Sequence, residues 1–482
     1  MIIDFNDIIS FISDKVVWSP FLVVLCLFCG LYFSFCSGFL QVRHFTTMIK
    51  LLLDKKKEGP GISPLQSFAM SLAGRIGTGN VSGTATAIFF GGPGAVFWMW
   101  IFALLGSASS FVECSLAQVW KEEVGGQYRG GPAFYMEKGL GWPRYACVFS
   151  VVAVLACGLL LPGVQSGVVI TAFNDTIGIH KVVLALIITI FISLVIFGGI
   201  KRIAKVAQII VPFMAIGYLI GIMVVIGSNL SAVPAMLSLI CQSALGTDAA
   251  FGGIIGSAII WGVKRGAYAN EAGMGNAPHA AAAAEVTHPA KQGLIQAFSV
   301  YIDTFLICTA TAFVMLLTNC FNVVDERTGA MLAEYLPHLE KGQAFTQAAL
   351  ETVFGAGGGV FIAVALAFFA FTSLLSYYYE AETNLTFIFR DDAKVKKIML
   401  FLQLAFLSTI MLSALRPTDT IWALGDIGVG LMAWLNITAI LKLRKPALAV
   451  LRDFEQQKKA GLDPIFRPDT LNIKNADLWN KS

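Results

Sequence analysis

Two apolar stretches of this chain are interrupted by glycine-rich tetrapeptides of one pattern. The first reads GTGN at 77–80 and the second reads GMGN at 273–276, in corresponding places of two successive blocks of hydrophobic segments. Glycine costs a helix about 1 kcal/mol relative to alanine, and irregular backbone at membrane depth is tolerated only where protein buries it or where it lines a cavity. The pattern therefore predicts two broken helices around an internal pocket.

The composition is typical of a polytopic membrane protein. Of 482 residues, 56% are hydrophobic and 13% are charged, with a mean hydropathy of +0.73, whereas a soluble domain carries about 25% charged residues. A net charge of +4 gives no reason to expect a nucleic-acid partner. We expect the nine cysteines, including Cys26 and Cys29, to be packed thiols, because neither a histidine nor a second cysteine pair accompanies that C-x-x-C motif.

Eleven hydrophobic runs are long enough to cross a bilayer, which requires about 20 helical residues. The first run lacks a small-residue cleavage site, so we expect it to be retained. The ninth run is too long for one simple span, and we expect Gly355 to Gly359 to separate a short outer helix from the membrane helix. The predicted spans cover residues 18–40, 62–90, 94–120, 145–171, 182–199, 203–227, 251–285, 292–318, 344–389, 398–415 and 418–441.

Lysine and arginine residues orient these spans. If the N-terminus lies outside, the inner segments hold 26 of the 34 basic residues, the outer segments hold five and the spans hold three. Cytoplasmic loops of membrane proteins carry the excess of basic residues. We therefore expect the N-terminus outside and the C-terminus in the cytoplasm.

An odd number of spans with paired interruptions predicts one extra helix followed by two blocks of five helices. The blocks start from opposite sides of the membrane, which makes them an inverted repeat. The predicted fold class is an all-α polytopic membrane protein with eleven transmembrane helices. Residues 1–443 form one transport domain and 444–482 a short cytoplasmic tail. Within that domain we expect the extra helix at 17–41, the first repeat at 62–227 and the second repeat at 251–443.

Interrupted helices at matching positions of two repeats are typical of secondary transporters, where freed amides and carbonyls bind substrate and cation near the bilayer centre. Alternatively, the glycines only let helices pack closely, and Gly79 and Gly83 do match a GxxxG packing motif. Packing alone explains neither Asn80 nor the second copy of the pattern. A channel, with carbonyl or charge rings between subunits, and a membrane enzyme, with a nucleophile or zinc signature, are less favoured.

Four segments carry a resemblance to a known family. They are GTGNVSGTATAIFFGGPGAVFWMW at 77–100, FVECSLAQ at 111–118, GGPAFYM at 130–136 and NEAGMGNAPHAAAAA at 270–284. Together they resemble the alanine or glycine:cation symporter family of the amino acid-polyamine-organocation superfamily, over about Pro20 to Leu443. The chain departs from the common family pattern at Asn276 and at 81–84.

The resemblance implies a leucine-transporter-type fold in a prokaryotic plasma membrane. It also implies inward movement of a small neutral amino acid, alanine or glycine, together with Na⁺ and without a cofactor. Proton-coupled symport of another small neutral amino acid remains the alternative. The sequence leaves open the preferred stereoisomer, the ion stoichiometry and the oligomeric state.

Candidate substrate contacts follow from the chemistry of a zwitterion. Unwound helix ends offer amide donors to a carboxylate and carbonyl acceptors to an ammonium. The family resemblance adds Gln165, whose amide both donates and accepts; its alternative role is an interhelical hydrogen bond. The wall of the pocket is expected to include Thr78, Met274 and either Phe251 or Trp261. The predicted substrate-binding residues are Thr78, Gly79, Asn80, Gln165, Gly273, Met274 and Gly275.

Candidate sodium ligands are oxygen atoms, which a hard cation prefers. Hydroxyls on an apolar helix usually bond to their own backbone, but the family resemblance implies that Thr372 and Ser373 complete a cation site. The carbonyls of that site are those of Ala73 and Ile76. Asn80 would serve a second site beside the substrate carboxylate, and Thr304 is a further candidate.

Charged residues inside the spans are expensive to bury and suggest function. One interpretation is that the basic residues pair with some of the acids and hold the broken helices in place. The other is that one acid titrates near neutral pH and lets H⁺ replace or accompany Na⁺. The residues concerned are Arg75, Glu113, Lys264, Arg265, Glu271, Asp303 and Asp426.

Overall fold

The structure is a computed structural model that describes residues 5–54, 59–390 and 392–481. Three lysines of the inner segment that ends at Lys57 contribute to the predicted orientation and lie outside these residues. The described chain is mostly helical, with two short β-hairpins. Its interior is a continuous apolar core that includes residues from the first span to the C-terminal tail.

Seven helices of the described residues are long and apolar enough to cross a membrane, and a pair of helices bent by 41° makes an eighth candidate. This bent pair is Asn6–Val17 with Pro20–Cys36. The seven are Gly94–Val119, Pro143–Ile177, Gly199–Ser228, Pro289–Leu317, Ala356–Phe389, Val395–Ser413 and Thr418–Lys442.

The remaining elements are shorter. The helices are Leu40–Arg43, Phe45–Leu51, Pro64–Arg75, Ser82–Gly91, Pro132–Lys138, Lys181–Ile196, Val233–Ala244, Ile255–Asn270, Ala277–Ala282, Gln343–Phe354 and Arg444–Lys459. The antiparallel hairpins pair Glu122–Val124 with Gln127–Arg129 and Asn322–Val324 with Met331–Glu334.

The first broken helix comprises Pro64–Arg75 and Ser82–Gly91. It begins at a capping box, in which Ser63 and Gln66 satisfy each other's backbone amides. The first half ends at Arg75, and Thr78–Asn80 forms one 3₁₀ turn before the helix resumes. The glycine-rich segment predicted to interrupt this helix therefore does so.

The second broken helix comprises Ile255–Asn270 and Ala277–Ala282. Glu271 ends the first half with a left-handed φ of 55°, a conformation that is uncommon for a residue with a side chain. Gly273 and Gly275 follow with φ values of 81° and 92°, which glycine adopts without steric cost. The second predicted interruption is therefore present. Glycine is favoured at two of its positions because the backbone there has a positive φ.

The two broken helices meet at their inner ends. The Ile62 amide donates to the Ala283 carbonyl at 2.9 Å, and the Glu285 amide donates to the Ile62 carbonyl at the same distance. The Ser67 hydroxyl donates to the Ala280 carbonyl at 2.8 Å. Backbone groups thus join the start of one broken helix to the end of the other.

Gly355 separates two helices, as predicted for the ninth run. Gln343–Phe354 ends there, Gly355 has a φ of 58°, and Ala356–Phe389 begins at the next residue. Gly357 to Gly359 lie inside the second helix. The helix Val233–Ala244, which follows the sixth span and is too short to cross a bilayer, was not predicted.

The C-terminal tail is packed onto the end of the protein at which the two broken helices join. Its helix Arg444–Lys459 buries Ala447, Val450, Leu451 and Phe454. Beyond it, Asp463 pairs with Lys291 at 2.6 Å, and the Trp479 indole donates to the Gln118 carbonyl at 3.0 Å. The sequence analysis predicted a short tail but not this attachment.

Lys121 lies beneath the end of this tail. Its ammonium donates to the Ala284 carbonyl at 2.9 Å and faces the rings of Tyr128 and Trp479 at 4.0 and 5.2 Å. Burial lowers the pKa of Lys121 to about 7, although the charge of Glu285 opposes that shift.

We expect Lys121 to make stability depend on pH above neutrality. Between the folded pKa of about 7 and the ordinary lysine pKa of 10.5, the unfolded chain binds a proton that the folded chain does not, so stability rises with pH. The thermal midpoint of the purified protein should therefore rise from pH about 7 to about 9 more in the wild type than in Lys121→Met. Equal increases in the two proteins would contradict the assignment.

Candidate functional site

Two side chains accept hydrogen bonds from the backbone amides at the interruption of the first broken helix. The Gly77 amide donates to Asn80 Oδ1 at 2.9 Å, and the Thr78 amide donates to Gln165 Oε1 at 3.0 Å. Both side chains are almost completely buried. Two amides that the helix break frees are thus satisfied by two of the predicted site residues.

Asn80 also leads to an acid that the sequence analysis treated only as an intramembrane charge. Its Nδ2 donates to Asp303 Oδ1 at 2.5 Å, and Thr304 donates to the other oxygen, Oδ2, at 2.9 Å. Asn270, the last residue before the second interruption, donates to Thr304 Oγ1 at 3.1 Å. Asn80 and Thr304, two predicted cation ligands, therefore both hydrogen-bond to one buried carboxylate, that of Asp303.

Asp303 lies on a π-helical segment, Ile302–Cys308. Such segments inside α-helices are frequent at functional sites because they redirect side chains. The sequence signal was an aspartate in an apolar span, but its partners could not be predicted without the helix phase.

Ser373 joins the end of the first helix half. Its hydroxyl lies 2.9 Å from the Ala73 carbonyl and 3.4 Å from the Ile76 carbonyl. Three predicted sodium ligands are therefore together. Thr372 is not with them. The acceptors near its hydroxyl are two carbonyls of its own helix and the Met214 sulfur, whereas Ser373 lies near the Phe369 carbonyl of its own helix and also near two carbonyls of the broken helix.

Gln165 reaches the interruption from Leu161–Ile177, which follows a π-helical turn, Ala156–Leu160. Gly77 makes room for it: a β-carbon at Gly77 would lie 2.7 Å from Ser373 Oγ and 3.0 Å from Gln165 Oε1. Gly79 faces a ring instead, since its β-carbon would lie 3.0 Å from Tyr268 Cδ1. Close packing is thus part of what these glycines do.

The second interruption is held by Glu113. The amides of Gly273 and Gly275 donate to its two carboxylate oxygens at 3.1 and 3.2 Å. Asn436 donates to the same carboxylate at 2.7 Å and to the Gly273 carbonyl at 2.9 Å. In this conformation a protein carboxylate occupies two amides that were predicted to meet substrate, and Met274 between them is fully buried.

A cavity of about 210 Å³ lies beside Ser82–Gly91, the second half of the first broken helix. Its lining includes Ser82, Trp261 and Trp422. Of the two alternatives for the wall of the substrate pocket, Trp261 lines this cavity, whereas Phe251 packs near Gly92 at the end of the first broken helix. The role of either residue in the substrate pocket stays a prediction.

The predicted charge pairing holds beside this cavity. Arg265 and Lys264 pair with Asp426 at 2.6 and 2.8 Å, and Lys264 also pairs with Asp14 at 2.6 Å. Arg75 differs. Among the described residues its guanidinium forms no ion pair and donates to Ser110, Ser299 and the Gln296 carbonyl.

Glu380 is a buried acid that the sequence analysis did not single out. Asn276 donates to its carboxylate at 2.7 Å, Ser376 at 3.1 Å and the Cys157 thiol at 3.2 Å. The available signal was an acid within the long ninth run.

Gly77→Ala should destabilise the protein. The new methyl group would meet the Ser373 hydroxyl at 2.7 Å, and overpacking of this kind costs about 1–3 kcal/mol. Gly83→Ala is the matched control, because its β-carbon would meet Arg265 and Trp422 at ordinary distances of 3.6 and 3.9 Å. Thermal unfolding in detergent measures both, and equal midpoints would contradict the close approach at Gly77.

Comparison with known proteins finds a matching family and similar relatives. The model of the sodium:alanine symporter family matches residues 3–468. The chain is 50% identical over 468 residues to YrbD of Bacillus subtilis, covering 97% of this chain and 96% of YrbD, which is named as a sodium/proton-dependent alanine carrier. It is 46% identical over 432 residues to the sodium/proton-dependent alanine carrier protein of Bacillus sp. strain PS3, covering 90% and 97%.

Other relatives and solved structures extend the comparison. GlnT of Bacillus subtilis, named as a sodium/glutamine symporter, is 42% identical over 97% of this chain and 95% of GlnT. A Na⁺-coupled sialic acid symporter, solved in a substrate-bound outward-open state, has a TM-score of 0.52 at 13% identity and covers 97% of this chain and 96% of its own. That similarity shows a shared fold. By the family match and these relatives, the chain belongs to the sodium:alanine symporter family.

Proposed function

We propose that the protein is a secondary active symporter that couples inward movement of Na⁺ to uptake of a small neutral amino acid, with alanine the first candidate and glycine the second. The observation that carries this proposal is the unwound segment 77–80, which buried polar side chains of three other helices reach. Gln165, Asp303 and Ser373 contact this segment or the helix end before it. The two alanine carriers among the relatives support the choice of substrate.

The proposed topology has eleven spans. It counts the seven long helices and the bent pair, together with Lys181–Ile196 and the two broken helices. The extra helix at 17–41 then precedes an inverted repeat of 62–227 and 251–443. The N-terminus lies outside and 444–482 lie in the cytoplasm, where the Lys and Arg excess belongs.

The proposed substrate site lies at the first interruption. Thr78, Gly79, Asn80 and Gln165 would surround the amino and carboxylate groups, and Gly273, Met274 and Gly275 would close the opposite side. The Thr78 hydroxyl is buried without a hydrogen-bond partner among the described residues, and such a group costs free energy until a polar ligand pairs with it. Release of Gly273 and Gly275 from Glu113 would accompany a change of conformation.

Two cation sites are proposed beside it. In the first, Ala73, Ile76 and Ser373 supply oxygens, and Thr372 joins if its hydroxyl leaves its own helix. In the second, Asn80 and Thr304 act together with Asp303, whose carboxylate adds the charge that a hard cation favours. Asn80 would then touch both ion and substrate, which couples the two ligands directly.

Uptake into proteoliposomes tests the function. An inward Na⁺ gradient should drive accumulation of labelled alanine above its outside concentration, and a panel of small neutral amino acids, including glutamine, defines the specificity. The driving force includes about 2.3 kcal/mol per charge per 100 mV of membrane potential. Equal accumulation with choline in place of Na⁺, at every pH tested, would rule out sodium coupling.

Single variants test the first cation site. Ser373→Ala removes the hydroxyl that touches two carbonyls of the broken helix, so the Na⁺ concentration for half-maximal uptake should rise. Thr372→Val removes the neighbouring hydroxyl and keeps its shape, and it should produce a smaller rise because that hydroxyl points to its own helix. An unchanged Na⁺ dependence in Ser373→Ala would exclude the site.

A further inference from the structure

Glu271 and Glu380 are two buried carboxylates that the proposed sodium and substrate sites do not use. Glu271 is 3% exposed and ends the first half of the second broken helix, while Glu380 is 2% exposed and lies on Ala356–Phe389. Both lie against the first broken helix. A β-carbon at Gly74 would be 3.2 Å from Glu271 Oε2 and 3.0 Å from Ser376 Oγ, which donates to Glu380 Oε1.

This acid pair lacks a basic partner. Among the described residues neither carboxylate forms an ion pair with a lysine or arginine. The titratable or charged groups that face the pair, from the surrounding helices and from the helix of Glu380 itself, are Arg75, Cys157, Tyr268, Asp303, Tyr377 and Tyr379. Arg75 is the single cation among them, and its guanidinium is bonded to neutral groups.

The donors around the pair are concentrated on Glu380, whereas among the described residues Glu271 accepts from Tyr377 alone. Glu380 accepts from Asn276, Ser376 and Cys157, and donors of this kind stabilise an ionised carboxylate. A second ionised carboxylate nearby would add repulsion in a medium of low polarity, and such pairs instead share a proton.

Asn276 can hydrogen-bond to Glu380 whether or not that acid carries a proton. Its Nδ2 donates to Glu380 Oε2 at 2.7 Å, while its Oδ1 is buried without a partner among the described residues. A half-turn of the amide exchanges oxygen and nitrogen, and an acceptor would then face Glu380. In the rotated amide, the Asn276 oxygen would accept a hydrogen bond from Glu380 when that acid carries a proton. Asn276 can therefore hydrogen-bond to either the ionised or the protonated form of Glu380.

We infer that Glu271 and Glu380 form a proton-binding site whose two carboxylates together hold one proton and exchange it during the transport cycle. The inference rests on the proposed symport function. Glu271 lies at the break of one broken helix and beside Gly74 of the other, and Ser376 connects Glu380 to the Met70 carbonyl of that second helix. A change of conformation in either helix would therefore alter the surroundings of the proton. The ligand is H⁺ itself, bound by carboxylate oxygens; no other reactant is required.

Infrared difference spectroscopy of the purified full-length protein tests whether the acid pair holds a proton, and it does so without a transport assay. A pH titration of the wild type should reveal the C=O band of a protonated carboxyl group at neutral pH. Glu271→Gln and Glu380→Gln should each lose one protonated carboxyl from this band, because the remaining acid ionises alone. Glu351→Gln, which removes an exposed carboxylate of the outer helix, is the control and should keep the band. A band unchanged in both test variants would overturn the inference.

Proteoliposomes that contain a pH-sensitive dye test the exchange. Na⁺-driven alanine uptake should acidify the lumen in the wild type and in Glu351→Gln, and the acidification should be lost in Glu271→Gln and Glu380→Gln. Alanine uptake by the wild type without acidification would overturn the exchange. Absence of any amino-acid uptake would instead refute the proposed function, and the infrared bands would still decide whether the acids hold a proton.

Discussion

Two interrupted helices leave backbone amides and carbonyls that lipid cannot satisfy, and the rest of the structure supplies their partners. The side chains of Gln165 and Asn80 accept hydrogen bonds from backbone amides of the first interruption. The Ser373 hydroxyl lies within hydrogen-bond distance of a backbone carbonyl just before it. Glu113 accepts from both glycine amides of the second. Because these partners come from other helices, the pocket depends on how the helices pack. Movement of a helix changes which group satisfies the backbone, and this makes the site suited to alternate between bound and released states.

Charge is distributed unevenly along the interior. Beside the cavity lined by Trp261, Lys264 and Arg265 are neutralised by acids, one of them from the N-terminal helix. At the level of the interruptions, Glu113, Asp303 and the Glu271–Glu380 pair have Arg75 as their one basic neighbour among the described residues. Unpaired buried charge is expensive, so an excess of carboxylates at the centre favours bound cations or protons. The basic residues beside the cavity thus have acidic partners, whereas the central acids have no ion pair among the described residues.

The sequence analysis identified the interruptions because glycine's conformational freedom is a local property. Gly273 and Gly275 do adopt positive φ values, and Gly355 does end a helix. The grouping of Ala73, Ile76 and Ser373 came from a family resemblance. The partners of Asp303, Glu113 and Glu380 could not be predicted, because a contact between distant helices depends on rotations that a single sequence does not specify. The short helix Val233–Ala244 and the packed tail were missed since neither produces a span-length apolar run.

The central claim is that one unwound segment binds ion and amino acid in direct contact. Isothermal titration of alanine with and without Na⁺, and of Na⁺ with and without alanine, measures that contact in the purified protein. Each ligand should tighten the binding of the other by one common factor, because linkage is reciprocal, and Asn80→Ala should reduce that factor. If Asn80→Ala binds both ligands like the wild type with the factor unchanged, the coupling site lies elsewhere.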